Sequence, residues 1–129
     1  MSFSTKKYDN YTLIVFSTDK LDAVVSPDLK AELVLISKGG ENNIIIDLTA
    51  VKYCDSSGLS ALLIGDRVCK EAGGSFIISC IQPAVQKLIS ISQLDEIISN
   101  TPTLPEAIDL LFMEEIEREL GDEDTDDNI

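Results

Sequence analysis

The sequence predicts an α/β layer fold in one domain, and three observations carry that expectation. Short apolar runs of strand length alternate with segments of helical periodicity, in the order β-α-β-α-β-α-β-α. Two of the runs, Asn43–Leu48 and Ser75–Ile81, are continuous rather than alternating, as in strands covered on both faces. Paired glycines, Gly39-Gly40 and Gly73-Gly74, close two helical segments shortly before those runs. A chain of 129 residues with 44% apolar content can bury one core of this kind.

Each element has its own warrant. Tyr11–Phe16 is rich in β-branched and aromatic residues and reads as the first strand; Ser17 to Asp22 is a polar connection. Ser26-Pro27 opens a helix, with Ser26 as N-cap and Pro27 at the first helical position. Leu29, Leu33 and Ile36 give that helix its apolar stripe. The Asn43–Leu48 strand leads to Asp55-Ser56-Ser57-Gly58 and a helix from about Ser57 to Ala72. Right-handed crossovers set Asn43–Leu48 and Ser75–Ile81 side by side around this helix. Its face of Ala61, Leu62, Gly65, Val68, Cys69 and Ala72 is mostly small and lets it lie close to the sheet. Ser60, Ile64, Arg67 and Glu71 form a separate, outward stripe.

Beyond Ser75–Ile81, Pro83 starts a helix through Val85, Leu88 and Ile89, and a short strand is expected near Glu96–Ile98. Thr103-Leu104-Pro105-Glu106 is a capping box, and its helix is expected to end near Leu120. Gly121 to Ile129 holds five acids and a single apolar residue, too little to bury, so a domain over 1–120 with an unordered acidic tail over 121–129 is expected.

Composition narrows the function classes. The net charge is −13. Residues 114–129 contribute nine acids and one Arg; residues 1–113 contribute fourteen acids and nine Lys or Arg. Neither part suits nucleic acid or an anionic membrane surface, because both demand clustered positive charge. There is no His, and Cys54, Cys69 and Cys80 include no C-x-x-C pair, so neither a metal site nor a cofactor is expected. The cysteines read as reduced thiols in or near the core. Without His, Ser-His-Asp and Cys-His catalysis fall away; no G-x-S-x-G elbow exists either. No catalytic residue is expected. With no apolar run long enough to span a bilayer and no signal-like N-terminus, the expected location is cytoplasmic.

The Asp55-Ser56-Ser57-Gly58-Leu59 turn is the most informative stretch. It places two hydroxyls at a helix N-terminus, where backbone amides and the helix dipole favour negative charge. Either could accept a phosphate on these grounds. Gly58 is unfavourable by about 1 kcal/mol against Ala inside a helix, which suggests close approach of another backbone. Ile64 on the outward stripe reads either as a scattered surface residue or as an anchor for a partner protein.

The stretch Ile44–Leu63, with Asp47-Leu48 after its strand and Asp-Ser-Ser-Gly-Leu opening its helix, resembles the STAS domain, the family of bacterial anti-sigma-factor antagonists. Leu21-Asp22, Gly73-Gly74 and the Thr103–Ala107 helix start extend the resemblance to about residues 10–115. It implies a mixed β-sheet with about four helices packed mainly on one face, and a non-enzymatic role. It further implies phosphorylation of Ser56 (alternatively Ser57) by a partner serine kinase that is itself the anti-sigma factor, reset by a serine phosphatase. Asp22, Asp55, Ser57, Gly58, Ser60, Ile64 and Arg67 are the implied partner-binding residues. The chain departs from the family in reading Asp19-Lys20 where Gly-Glu is frequent, and Ser60 where Gly is frequent. A second role compatible with the resemblance is an adaptor subunit of a larger assembly, such as a lipid-transport ABC complex, without phosphorylation.

Overall fold

In the computed structural model, which describes residues 2–127 with side chains to residue 121, a five-stranded mixed sheet carries helices on both faces. Its strands are β1 (Phe3–Lys7), β2 (Thr12–Phe16), β4 (Ile44–Asp47), β6 (Phe76–Ser79) and β7 (Ser99–Thr101), ordered β1-β2-β4-β6-β7. β1 is antiparallel to β2, and the remaining neighbours are parallel. A separate two-residue parallel pair joins β3 (Lys20–Leu21) to β5 (Tyr53–Cys54). The helices are α1 (Ser26–Lys38), α2 (Ser56–Glu71), α3 (Pro83–Ile91) and α4 (Leu104–Asp127).

Strand periodicity divides the core in two. Ile14, Phe16, Ile44, Ile46, Phe76 and Ile78 face one side, where Leu29 and Leu33 of α1, Leu62 of α2 and Ile89 of α3 cover them. The alternate residues Leu13, Ile45 and Ile77 face the other side and meet Ala107 and Leu111 of α4. Three helices therefore lie on one face and one on the other. The continuous runs Ile44–Asp47 and Phe76–Ser79 are central strands in parallel register, Ile44 opposite Phe76 and Ile46 opposite Ile78. Cys54 and Cys69 are buried thiols in the core and Cys80 is half-buried; all three are free.

Several local expectations are corrected. Ser26 is the first helical residue, not the N-cap of α1; Val25 holds that position and its side chain gives no cap. Helical geometry begins earlier because Asp22 organises a preceding turn. Its Oδ1 accepts from the amides of Val24 and Val25 at 3.1 and 3.3 Å, and its carbonyl accepts from Ser26 Oγ at 2.6 Å. The strand expected near Glu96–Ile98 lies at Ser99–Thr101 instead, since Leu94–Glu96 forms a 3-10 turn with Leu94 and Ile98 buried beneath it. On α2, Val68 is only half-buried and Ala72 is exposed, whereas Asp66 is buried and paired with Lys70 at 2.9 Å. α4 continues past Leu120 to Asp127. The expected tail over 121–129 falls almost wholly on residues whose side chains lie outside those described, Asn128 and Ile129 entirely so.

Candidate functional site

Four sets of hydrogen bonds, two from side chains and two between backbone groups, fix the turn between β5 and α2. The loop before β5 is braced by Asp47, whose Oδ1 accepts from the amide and hydroxyl of Thr49 at 2.9 and 2.6 Å. Gln82 Nε2 then donates to the Thr49 carbonyl at 2.7 Å, tying the loop to the start of α3. The amides of Lys52 and Tyr53 donate to the Asp19 carbonyl at 2.8 and 3.0 Å, docking β5 on the segment that becomes β3. The Asp55 amide donates to the Leu21 carbonyl at 3.3 Å, which brings the segment leading to Asp22 beside the start of α2.

Asp55 is the N-cap of α2. Its extended backbone turns the chain, and its Oδ1 accepts from the Gly58 amide at 3.1 Å. Ser56 and Ser57 are thus the first two helical residues, where amides lack a partner one turn earlier in the helix. Gly58 is buried against β3: a Cβ there would stand 2.4 Å from the Leu21 carbonyl oxygen and 2.7 Å from Cys54 Sγ. This is the backbone approach that the poor helix propensity of glycine suggested. Two turns further on along the same face, a Cβ at Gly65 would stand 2.4 Å from Cε1 of the buried Phe76 ring. The two glycines seat α2 on β3 and β6 and fix which face of it looks outward.

That outward face carries Ser56, Ser60, Ile64 and Arg67 of the expected residues, while Gly58 lies on the buried side. Gly58, Ala61, Leu62, Gly65 and Cys69 form the buried stripe. On the opposite side Ser56, Ser60, Leu63 and Arg67 recur at i, i+4, i+7 and i+11 and are all exposed, with Ile64 half-buried beside them. Ser60, Leu63, Ile64, Asp66 and Arg67 line a groove of about 410 Å³. Ser57 is half-buried at the side of the stripe. Asp22 is half-buried just after β3, and its carboxylate is already engaged with its own turn.

The sequence reading missed one residue of the groove wall and two exposed apolar side chains outside its lining. Leu63 is 41% exposed in the groove wall; it follows Ser60 at i+3, a spacing that could have revealed it. Tyr53 in β5 and Val24 in the turn after Asp22 are exposed apolar side chains, at 53% and 82%. Nothing in the sequence separates these two from core residues, since Tyr and Val are ordinary strand and core types.

The thiol beside the turn is not poised for chemistry. Burial, reinforced by the negative charge of Asp55, pushes the Cys54 thiol up to about 12. Burial and Asp66 push Cys69 to about 12 as well, against a lowering backbone hydrogen bond from Ile44. Both are protonated at neutral pH and lack the thiolate needed for nucleophilic attack. Among the described residues no His, Cys, Asp or Glu cluster could hold a metal ion, and no helix is long and apolar enough to cross a membrane.

The chain has relatives of known structure. A family model described as STAS domain matches residues 2–107. An anti-sigma factor antagonist from Mycobacterium paratuberculosis shares the fold with a TM-score of 0.75 and 23% identity, over 84% of this chain and 92% of that one. The Bacillus cell fate determinant SpoIIAA, in its phosphorylated form, gives 0.66 and 23% over 83% and 96%. The murine anion transporter Slc26a9 contains a region matching at 0.68 and 17%, over 84% of this chain and 18% of the transporter. At these identities the likeness is one of fold.

Proposed function

The chain belongs to the STAS domain family, and on that premise we propose that it is a non-enzymatic anti-sigma-factor antagonist switched by phosphorylation of Ser56. In its unmodified state it binds a serine kinase that doubles as the anti-sigma factor and thereby frees the sigma factor. The phosphorylated state releases the kinase, and a serine phosphatase restores the first state. Partner contacts come from Ser60, Ile64 and Arg67 on the outward stripe and from Asp22, Asp55 and Ser57 near its start, while buried Gly58 acts by seating α2 rather than by touching the partner.

The observation that carries this reading is the position of Ser56. It is exposed, it opens a helix whose N-terminus is fixed by the Asp55 cap, and it shares a stripe with the Ser60–Arg67 groove. Ser57, one residue on, is half-buried. A kinase reaches the first hydroxyl more readily than the second. Phosphate at Ser56 adds about −1.5 to −2 charge beside Asp55. The helix N-terminus favours that charge, so the fold tolerates it. A docked partner does not: like charge placed in an interface costs several kcal/mol. The switch therefore needs no change of fold.

Incubating the protein with ATP and the serine kinase encoded nearest to it, then mapping phosphate by mass spectrometry, tests this. Modification at Ser56 is expected. Modification at Ser57 alone overturns the assignment. Absence of modification, with the chain held stoichiometrically in a transporter complex, favours the adaptor role instead.

A further inference from the structure

We propose that the outer face of α4 is a second docking surface, one that takes a basic amphipathic helix of a partner protein. It lies across the sheet from α2 and does not depend on the Ser56 switch.

α4 is apolar on two opposite sides. Ala107 and Leu111 are fully buried against Leu13, Ile45 and Ile77. Phe112, Met113, Ile116 and Leu120 face away from the sheet and are 40–55% exposed. A helix resting on one surface ordinarily turns polar residues to water; apolar residues on both sides mark a helix covered on both. Phe112, Ile116 and Leu120 recur at i, i+4 and i+8, so they form one ridge about 12 Å long at 1.5 Å per residue. Anchors at that spacing suit a second helix lying alongside.

Charge selects the occupant. From 104 to 120 the helix has six acids and one base, Arg118, whose guanidinium donates to Ser75 Oγ at 2.7 Å. Exposed Glu106, Asp109, Glu117 and Glu119 border the apolar ridge. Five further acids follow Gly121 in the sequence. A second copy would set this acidic helix against its own like, and an anionic membrane would be repelled in the same way. A helix with Lys or Arg flanking an apolar stripe matches both features, and its charges steer the encounter.

The test uses the full chain and two fluorescein-labelled peptides of identical Leu and Lys composition, one ordered with helical phase and one shuffled. Fluorescence anisotropy at 150 mM salt is expected to show the phased peptide binding at least tenfold tighter. The exposed double variant I116S/L120S should lose at least tenfold for the phased peptide while its thermal melt stays unchanged, and S56D should bind it as the unmodified chain does. Amide shifts should map to residues 112–120. Equal affinity for both peptides, or unchanged affinity in the double variant, overturns the proposal. So does a dimer in sedimentation equilibrium, or binding to phosphatidylglycerol vesicles, that the double variant abolishes.

Discussion

Replacing Gly58 with Ala tests how tightly the Asp55–Gly58 turn is held. By helix propensity alone the change stabilises by about 1 kcal/mol. The structure reverses the sign. The new Cβ would meet the Leu21 carbonyl oxygen at 2.4 Å, Cys54 Sγ at 2.7 Å and Leu21 Cγ at 2.8 Å. Carbon contacts are comfortable near 3.5–4.0 Å, so relief demands a shift of about 1 Å. Leu21 cannot easily supply it. Its side chain is fully buried, its backbone pairs with Cys54, and its carbonyl accepts from the Asp55 amide. Overpacking costs about 1–3 kcal/mol, and a backbone obstacle places this case at the upper end. Subtracting the propensity gain leaves a net loss of about 1–2 kcal/mol, or about 4–8 °C in Tm. Urea melts followed by circular dichroism read the difference. Gly121→Ala, where a Cβ meets no atom of the described residues within 4 Å, is the control and should be neutral or stabilising. A Gly58→Ala variant as stable as the original chain would refute the argument that the approach of α2 to β3 demands glycine.

Other outcomes follow from the same geometry. Asp55→Ala removes the N-cap of α2 and should lower stability by about 1 kcal/mol in urea melts, with Asp55→Asn losing less because it keeps an acceptor. Iodoacetamide at pH 8 should label half-buried Cys80 well before Cys54 and Cys69, whose thiols, raised to about 12, leave roughly one molecule in ten thousand ionised. Because folding raises these two thiols above their ordinary value near 9, their contribution is complete below that pH and is lost as pH climbs from 9 towards 12; alkaline melts should show stability falling across that window. Ile64→Asp should weaken kinase binding at least tenfold without altering the melt, since the side chain lines the outward groove; unchanged affinity removes it from the interface.

The central strands and the helices were legible because burial imprints a period on them. Ile44–Ile46 and Phe76–Ile78 are buried on both faces and read as unbroken apolar runs. The buried stripe of α2 was legible through Ala61, Leu62, Gly65 and Cys69. β1 was not legible: Phe3 alone is buried in it, while Ser4 to Lys7 face water as an edge strand with little apolar signal. Its clue was Asp9-Asn10 between strand-like flanks, where the Tyr8 amide donates to the Tyr11 carbonyl across a tight hairpin. The β3–β5 pair was invisible for another reason. Two residues on each side carry no period, and their pairing depends on a contact some thirty residues away in sequence. The candidate site was therefore readable as a turn with two hydroxyls, but not as a turn clamped to β3. The clamp and the difference in burial between exposed Ser56 and half-buried Ser57 are tertiary facts; in the sequence only the family resemblance ranked the two serines.

The most direct measurement is the affinity of the cognate kinase for the chain with and without phosphate on Ser56, by titration calorimetry. At several kcal/mol of interface repulsion, and 1.4 kcal/mol per tenfold, the phosphorylated chain should bind about 100-fold more weakly or worse. Its circular dichroism and melt should match those of the unmodified chain. Equal affinity for the two forms, or a loss accompanied by unfolding of α2, would contradict a switch built from charge at a fixed helix N-terminus.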